Sequence, residues 1–595
     1  MLTFDNKKFY LDGKEFRIFS GSLHYFRALP EYWESLMKKF RATGLNCVET
    51  YCPWNLHEPE PDVFDFSGIV DLERFIKTAE KVGLKVIIRP GPFICAEWEH
   101  GGLPAWLLKD PTMRFRVNNE PYMQRVRSYF HKLFSVIRPY LHENGGPVIA
   151  MAIENEYGSF GDDFSYLSAL EEIYREEQMN CLYFSSDGER EVYLCTGSHP
   201  HILKAVDFTY QKDVSMEDRL KPSDKYMDGK APYFVIEYWG GTHTHWGEDF
   251  RQRIDEQMKS DFSDMIRLGA SFNDYVFFGG TNFGLMGGAN CDHHNQGTYF
   301  APQLTSYDYD SALTEWGDYT QRYYDIRELI SKVSDEPLPE LPPRPEFQYV
   351  GQVSLSESAS LFDCETIAEV NDSVTAEPME YYGQDYGYIR YSKVMAYDAP
   401  YDCLTLYGVA DRAHVYLNGE LLGIRMRAQN SEEPLTLPEG LKRGDRIDVL
   451  VENMGRINFG PVMFRGDRKG ILDGIYGSDR LMTNFKVFSY RMNSLDGVEY
   501  KKGVDSKLPA FFKGRFEAEP GKDCFVRFDS FKKGLIWING FMLGRYWEIG
   551  PQEALYIPGS ILNKENEIVI FETDGLRGVP TVEITNRHGL MGKTH

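Results

Sequence analysis

The chain has 595 residues, of which 42% are hydrophobic, so it is too long for a single domain and apolar enough to bury large cores. Its net charge of −24 argues against binding to nucleic acid or to an anionic membrane through bulk electrostatic attraction. Such a charge suits a protein that acts on a neutral substrate.

The cysteines and the N-terminus bear on the compartment. The chain has nine cysteines, an odd number, and they show no metal-binding spacing, which indicates free thiols and a reducing compartment. The N-terminus has no basic segment followed by an apolar one, as a signal peptide would require, and Met1 is retained. No run of about 18 apolar residues occurs. We therefore expect a cytoplasmic protein without a transmembrane segment.

The first 333 residues alternate short apolar runs with amphipathic stretches, at the spacing of β/α units. Eight strands are predicted, at residues 17–23, 47–51, 86–90, 148–153, 192–195, 206–210, 233–237 and 274–278. Helices are predicted between them, including 30–43, 70–82, 122–141 and 252–268. Eight strands joined by helical crossovers predict an N-terminal catalytic (β/α)8 TIM barrel over residues 1–333.

A proline-rich, charged segment at residues 334–347 predicts an extended linker. Beyond it, short alternating strands are separated by Gly, Asp and Asn turns, which is typical of β-sandwiches. Two segments, 413–423 and 535–544, share a strand, an Asn-Gly turn and a second strand. We therefore predict two jelly-roll-like β-sandwich domains, for which a structural role is favoured over sugar binding. Their predicted ranges are 348–393 with 505–595 for the first, and 394–504 for the second.

Two of the predicted barrel strands lead into carboxylates. The apolar run 147–153 precedes Glu156, and the run 233–236 precedes Glu237. Burying carboxylates at such positions costs free energy, so their presence there indicates that the function requires them. Because active-site groups of a parallel barrel project from the C-terminal ends of its strands, strands four and seven would present these two groups to one pocket. A retaining glycosidase needs such a pair, with one carboxyl protonated and the other ionised.

The residue before Glu156 strengthens this interpretation. Asn155 carries an amide that can bind the 2-hydroxyl of a sugar, a contact that becomes stronger in the transition state of glycoside cleavage. A single glutamate at a strand end would be interpreted as a structural hydrogen-bond partner. Two such glutamates together with Asn155 favour catalysis instead.

Six longer stretches have the pattern of one known family. They are residues 20–27, 44–59, 89–98, 101–107, 279–283 and 305–310, and they include RPGPFICAEW and TSYDYD. On these stretches the chain resembles family 35 of the glycoside hydrolases, the β-galactosidases, over essentially its whole length. The resemblance implies an enzyme that hydrolyses terminal β-D-galactose from oligosaccharides without a cofactor. It favours the β-1,3 linkage, leaves β-1,4 open and allows a homodimer.

The resemblance also implies roles for individual residues. Glu156 is similar to the acid/base of the family, and Glu237 to its nucleophile. The other matching residues would contact the substrate: Tyr51, Cys95, Ala96, Glu97, Asn155 and Tyr309. Tyr309 matches a tyrosine beside the nucleophile, whose hydroxyl would keep the Glu237 carboxylate ionised and oriented.

The side of the pocket that holds the leaving sugar departs from the family pattern. Thr242 stands where relatives commonly carry an aromatic residue, and Phe459 where they often have Tyr; both differences bear on the linkage preference. His243 and His245 either contact the leaving sugar or lie in solvent. Two aromatic residues are candidates for the platform under this sugar: Trp239 and Trp246.

Several alternatives stay open at the level of the sequence. The cluster Cys291-Asp292-His293-His294 lacks a second ligand pair at fixed spacing, so no metal site is predicted. A β-glucosaminidase on the same scaffold would need a different pocket around Glu97. A non-catalytic carbohydrate-binding protein would be expected to have lost one of the two carboxylates. Transfer of the galactosyl group to another sugar also stays open, because water and sugars compete for the same intermediate.

Overall fold

Eight parallel strands close into a barrel in the computed structural model, which describes residues 1–197, 199–226, 229–292, 298–503 and 509–593. Each strand pairs with the next along the chain, and the eighth pairs with the first. The predicted TIM barrel is thereby confirmed. The barrel strands are β1 (Phe19–Leu23), β2 (Cys47–Tyr51), β3 (Lys85–Arg89), β4 (Val148–Ala152), β5 (Leu182–Gly188), β6 (Leu203–Phe208), β7 (Phe234–Trp239) and β8 (Ser271–Phe278).

A helix follows each barrel strand and covers the outside of the barrel. The helix Leu72–Val82 shows why these segments are helical: Leu72, Phe75, Ile76 and Ala79 form one buried stripe. The side chain of Asp71 caps its first turn by accepting from the backbone N–H of Arg74 at 2.9 Å. The helices are Pro30–Thr43, Leu72–Val82, Glu120–Ile137, Phe164–Glu176, Glu191–Thr196, Met216–Leu220, Asp255–Arg267 and Gln321–Ser331, with single turns at Trp54–His57 and Tyr157–Phe160.

The fifth predicted strand is wrong. Residues 192–195 lie in the helix Glu191–Thr196, of which only Leu194 is buried. The strand is instead Leu182–Gly188, whose second half includes Ser185, Ser186 and Asp187. Ser186 faces the barrel interior, where its Oγ contacts Arg89 and Asp207, and Asp187 pairs with Lys204 at 2.8 Å. The strand therefore lacks the apolar run by which the others were found.

The β-rich half of the chain forms three sheets. Those of six and four strands face each other across one core, which includes Leu406 and Val449. The nine-stranded sheet encloses a core of its own, which includes Phe512 and Ile570. The strands of the nine-stranded sheet are Gly351–Ser360, Lys501–Lys502, Ala510–Glu517, Cys524–Arg527, Lys533–Ile538, Phe541–Trp547, Ala554–Ile557, Glu565–Glu572 and Thr581–Thr585. The other two sheets consist of Glu369–Ser373, Tyr388–Val394, Arg412–Leu417, Glu420–Met426, Arg446–Glu452 and Phe485–Tyr490, and of Cys403–Ala410, Leu435–Thr436, Gly470–Gly477 and Arg480–Leu481.

Both predicted Asn-Gly hairpins are present. Strand Arg412–Leu417 pairs with Glu420–Met426, and Lys533–Ile538 pairs with Phe541–Trp547. The turn residues Asn418 and Asn539 have φ angles of 54° and 52°. Asparagine and glycine tolerate this left-handed conformation, which the tightest hairpin turns require.

The boundary between the two sandwiches differs from the predicted one. Strands Glu369–Ser373 and Tyr388–Val394 both pair with Phe485–Tyr490, so the second sandwich begins ahead of residue 394. Both sandwiches have the same alternating pattern, and no change of composition marks the point where the chain passes from one to the other.

Small additional elements complete the fold. Segment 334–346 has no regular secondary structure, and it is fixed to the barrel where Tyr319 donates to the carbonyl of Pro342 at 2.6 Å. Two small sheets consist of Leu2–Asp5, Lys8–Leu11 and Lys14–Glu15, and of Ala289–Cys291 and Phe300–Pro302. None of the helices in the described part of the chain is both long enough and apolar enough to span a bilayer.

Candidate active site

A cavity of about 240 Å³ lies at the C-terminal ends of the barrel strands. This is the end at which barrel enzymes place their catalytic groups. All the site residues predicted from the sequence line the cavity except Trp246. The lining residues are Tyr51, Cys95, Ala96, Glu97, Asn155, Glu156, Glu237, Trp239, Thr242, His243, Arg253, Tyr275, Asn290, Tyr309 and Phe459.

Glu237, on β7, receives hydrogen bonds at both carboxylate oxygens. Arg89 and the hydroxyl of Tyr51 contact Oε1, the hydroxyl at 2.5 Å. The indole N–H of Trp239 donates to Oε2 at 2.9 Å. One buried cation and two neutral donors therefore stabilise the anionic form of this carboxylate and fix its orientation.

Arg89, the last residue of β3, organises the floor of the cavity and was not selected from the sequence. It is fully buried, and it donates to Glu237, to Oδ1 of Asn155 and, at 2.6 Å, to Oγ of Ser186. It could have been found by the rule that revealed the two glutamates, because it too is a charged residue that ends a buried apolar strand.

Glu156 lies just beyond β4 and is partly exposed to the cavity. Loss of hydration inside the barrel raises the pKa of its carboxyl to about 8, and repulsion from Glu237 adds to the effect. At neutral pH this carboxyl therefore holds a proton. Glu156 thus faces the same cavity as Glu237, whose carboxylate is oriented by three donors.

The turn that carries Asn155 and Glu156 is held from behind by a buried ion pair. Arg116 donates to both carboxylate oxygens of Glu154, at 3.0 and 2.7 Å, and to the carbonyl of Asn155 at 2.6 Å. Glu154 and Glu156 have φ angles of 65° and 45°, in the left-handed region. A non-glycine residue rarely adopts this conformation, so the ion pair keeps a strained turn in place.

The segment after β3 is strained in the same way. Cys95, Ala96 and Glu97 have φ angles of 53°, 54° and 48°. The carbonyl of Ala96 accepts from Arg27 at 2.5 Å, and the hydroxyl of Tyr307 donates to Glu97. Burial raises the pKa of the Cys95 thiol well above its usual range, so this thiol is not a nucleophile.

Tyr309 lines the cavity without the contact expected of it. Its ring lies 5.7 Å from that of Tyr275 and 5.2 Å from that of Tyr307, measured between centroids. Within the described residues, the tyrosine hydroxyl that donates to Glu237 belongs to Tyr51 and not to Tyr309. Tyr51 was expected to contact the sugar. The structure shows that it also holds the carboxylate of Glu237.

The outer wall of the cavity contains Trp239, Thr242, His243 and Phe459. Phe459 comes from the β-rich half of the chain, so two parts of the chain build this wall. Trp246 does not reach the cavity: it is buried, and its backbone N–H donates to the carbonyl of Pro302 at 3.1 Å.

The two histidines of this loop differ in position. His243 lines the cavity, and its Nδ1 lies 3.6 Å from Glu97. His245 lies buried behind it, where its ring contacts Glu248 at 2.9 Å and Asn290 at 3.0 Å. Neither is a solvated loop residue. His293 and His294 of the Cys291 cluster lie outside the described residues.

Three known families match successive parts of the chain. The family described as glycosyl hydrolases family 35 matches residues 8–333. The family described as beta-galactosidase, first all-beta domain, matches residues 377–491, and that described as beta-galactosidase, galactose-binding domain, matches residues 509–567.

Relatives match over nearly their full length. A protein named beta-galactosidase from Mus musculus is 35% identical, over 96% of this chain and 91% of the relative. One of the same name from Xanthomonas manihotis is 38% identical, over 92% of this chain and 90% of the relative. The Homo sapiens protein of that name is 35% identical, over 96% and 87%. The similarity therefore extends through the barrel and the β-rich half alike.

Proposed function

The chain belongs to family 35 of the glycosyl hydrolases and is a β-galactosidase, and we propose that it removes terminal β-D-galactose as a retaining exo-enzyme. The observation that carries this proposal is the pairing of Glu156 and Glu237 across one cavity. Burial and repulsion keep a proton on the first, and Arg89, Tyr51 and Trp239 stabilise the anion of the second. A retaining glycosidase needs one carboxyl in each form.

In the first step, an oxygen of Glu237 attacks the anomeric carbon of galactose. The bond from that carbon to the leaving oxygen breaks, and Glu156 gives its proton to that oxygen. The products are a galactosyl ester of Glu237 and a free leaving sugar. The hydrogen bonds that orient Glu237 before the attack lower the entropic cost of this step.

In the second step, a water molecule takes the place of the leaving sugar. Glu156, now a carboxylate, removes a proton from the water as its oxygen attacks the anomeric carbon. The ester bond to Glu237 breaks, galactose leaves with its original β configuration, and both carboxyls return to their starting states. A sugar hydroxyl that replaced the water would give transglycosylation by the same route.

The inner cavity would recognise galactose through its hydroxyls. Oδ1 of Asn155 already accepts from Arg89, so its amide NH2 is the group that can donate to a sugar oxygen. Glu97 offers carboxylate oxygens to neighbouring hydroxyls, and the strained backbone at Cys95 and Ala96 offers peptide groups. Tyr309 adds a hydroxyl to the cavity lining. A cavity of about 240 Å³ suits one sugar ring, which supports exo action.

The linkage depends on the outer wall. The β-1,3 linkage is favoured on the family resemblance, and β-1,4 stays open. Thr242 and Phe459, which depart from the family pattern, both line the cavity beside Trp239. They therefore lie where the leaving sugar would contact the protein, and they support a linkage preference particular to this chain.

The test compares galactose release from Galβ1-3GlcNAc, Galβ1-4GlcNAc and p-nitrophenyl β-galactoside by the wild type, Glu156→Gln and Glu237→Gln. Glu143→Gln, at an exposed glutamate ahead of β4, is the control. We expect Glu237→Gln to abolish release and Glu156→Gln to lower kcat on the disaccharides by about 10²–10⁴-fold. The ratio of the two disaccharides gives the linkage preference, and NMR of the first-formed anomer should show β-galactose.

Two outcomes would contradict the proposal. If the wild type releases no galactose from any of the three substrates, the pocket serves another sugar. If α-galactose forms first, the mechanism is inverting and Glu237 is not a nucleophile.

The cellular compartment and the oligomeric state of the protein are separate questions. The buried cysteines Cys47, Cys52 and Cys364 are free thiols, which supports a reducing compartment and the proposed cytoplasmic location. The homodimer stays a prediction, which light scattering of the purified protein would check.

A further inference from the structure

Three metal-ligating side chains meet on the outside of the barrel, away from the active-site cavity. Glu171 lies on the helix Phe164–Glu176, and His199 and His201 lie in the loop that leads into β6. Each offers one ligand atom, and the three atoms lie within 4.8 Å of one another. The two histidines form a short His-Pro-His sequence, which has no spacing by which a metal site would be recognised from the sequence.

Two separations in this cluster are close to those between ligands of a tetrahedral metal centre. Nδ1 of His199 lies 3.0 Å from Oε2 of Glu171, and Nδ1 of His201 lies 3.4 Å from Oε1. Zinc binds imidazole nitrogens and carboxylate oxygens at about 2.0–2.2 Å, which places neighbouring tetrahedral ligands about 3.3 Å apart. Both measured distances are near this value, although they involve different oxygens of Glu171, so a small movement of the side chains would place the three ligand atoms around such an ion.

The surroundings of His199 supply a second observation. Both Glu171 and His199 are more than nine-tenths buried, and Nδ1 of His199 makes no hydrogen bond to any described residue. The ring is stacked on that of Phe164 at 4.8 Å, and its Nε2 contacts Oγ of Ser168 at 3.2 Å. Metal-bound imidazoles in proteins are oriented in this way, by a hydrogen bond at the nitrogen that does not bind the metal.

We propose that Glu171, His199 and His201 bind one Zn²⁺ ion, or a divalent ion of similar size and ligand preference, per chain. Two imidazoles and one carboxylate are a ligand set of that chemistry. Water would take the fourth position, because His201 lies on the exposed side. Arg175 donates to Oε1 of Glu171, and its side chain is 60% exposed, so it can turn outward when the ion binds.

The ion would lie outside the active site and take no part in the galactosidase reaction. None of its ligands lines the active-site cavity. It would join the loop before β6 to the helix Phe164–Glu176, which begins shortly after the turn that carries Glu156. Binding should therefore raise the thermal stability of the barrel and leave kcat/KM unchanged.

The test is calorimetric titration of the full-length, EDTA-treated protein with Zn²⁺, beside thermal unfolding with and without the ion. We expect one ion per chain and a higher Tm with Zn²⁺ in the wild type. His201→Ala should weaken binding by at least about 10-fold and remove the Tm increase. His131→Ala is the matched control, because its side chain is equally exposed (66% in each case) and lies 2.9 Å from a glutamate, Glu177.

Co²⁺ provides an independent readout of the geometry. The wild type and His131→Ala should develop the intense visible bands of tetrahedral Co²⁺, and His201→Ala should not. The proposal fails if the wild type binds no Zn²⁺, or if His201→Ala binds it as tightly as His131→Ala does. Since His201 is exposed, its substitution should not prevent folding, which circular dichroism will verify.

Discussion

At the scale of single residues, Glu156 and Glu237 are the same amino acid in two environments. Three donors contact Glu237, including the buried guanidinium of Arg89. At Glu156, loss of hydration and repulsion from Glu237 raise the pKa and outweigh the opposing effect of Arg89 and Arg116. The difference between an acid and a nucleophile is therefore set by the neighbours and not by the side chains themselves.

The raised pKa of Glu156 predicts an alkaline limit to activity. Because Glu156 must donate a proton in the first step, kcat/KM on a disaccharide should fall as the pH rises through about 8, where the carboxyl loses its proton. At one pH unit above that pKa the loss should be about tenfold. A pH profile of kcat/KM measures it directly.

A substrate with a good leaving group is the control for this loss of activity at high pH. 2,4-Dinitrophenyl β-galactoside needs little protonation, so its profile should stay flat over the same range. If kcat/KM for the disaccharide and for this substrate fell over the same pH range, a group other than the proton donor would be responsible for the loss of activity.

At the scale of elements, the turn after β4 shows how the sequence builds a rigid site from strained backbone. The ion pair of Glu154 with Arg116 is fully buried, and the guanidinium lies 3.9 Å from the ring centroid of Phe93. The backbone N–H of Asn155 donates to the same carboxylate at 2.7 Å. Thus a residue with no place in the chemistry fixes the direction of Asn155 and Glu156.

Removing one partner of this pair should therefore damage both stability and activity. Arg116→Met leaves the carboxylate of Glu154 buried without its cation, which costs about 3–5 kcal/mol. We expect a lower Tm and a lower kcat, since the turn that orients Glu156 loosens. Thermal unfolding and steady-state kinetics measure the two effects.

The double variant Arg116→Met/Glu154→Gln separates charge from packing. It removes the unpaired charge and keeps the hydrogen bond to the N–H of Asn155, so part of the lost Tm should return. A double variant no more stable than Arg116→Met alone would show that the unpaired charge was not the cause.

The sequence predicted the elements whose hydrophobic pattern follows directly from the burial of their own side chains. Seven barrel strands and the helix Pro30–Thr43 have apolar runs or stripes that mark them directly. β5 does not, because Ser186 faces the polar interior of the barrel and Asp187 pairs with Lys204. The helix Glu191–Thr196 was predicted to be a strand because it contains residues typical of strands. Most of these residues lie on the surface and not in the core.

The same distinction applies to the site. Glu156, Glu237 and Asn155 were found because each follows a buried strand. The hydrogen bond of Tyr51 to Glu237 joins residues 186 positions apart, and no local pattern encodes it. Trp246 was selected for its aromatic ring and its place near Glu237 in the sequence, but the path of the loop turns it into the core.

At the scale of the whole molecule, the β-rich half belongs to the active site. Met454, Ile457 and Met463 are part of the same buried cluster as the barrel residues, and Phe459 from the same segment lines the cavity. Arg456 lies between the two parts: it donates to Glu99 of the barrel at 2.6 Å and pairs with Glu380 of the sandwich. The sandwich therefore supports the cavity wall as well as covering the barrel.

Arg456 should accordingly be needed for both stability and substrate binding. All three charged groups are fully buried or nearly so, and Arg456→Met would leave two carboxylates without their cation. We expect a loss of about 3–5 kcal/mol in stability. Glu99 is two residues from Glu97 and Phe459 is three from Arg456, so KM for a disaccharide should rise more than kcat falls.

Arg443→Met, at an exposed arginine of the same sandwich, is the matched control and should leave both Tm and KM unchanged. Product inhibition by galactose distinguishes an effect on the inner pocket from an effect on the outer wall of the cavity. Its inhibition constant should change less than the KM of a disaccharide, because Phe459 lies where the leaving sugar is proposed to bind. If the inhibition constant rose as much as KM did, the sandwich would support the inner pocket around Glu97 rather than the outer wall.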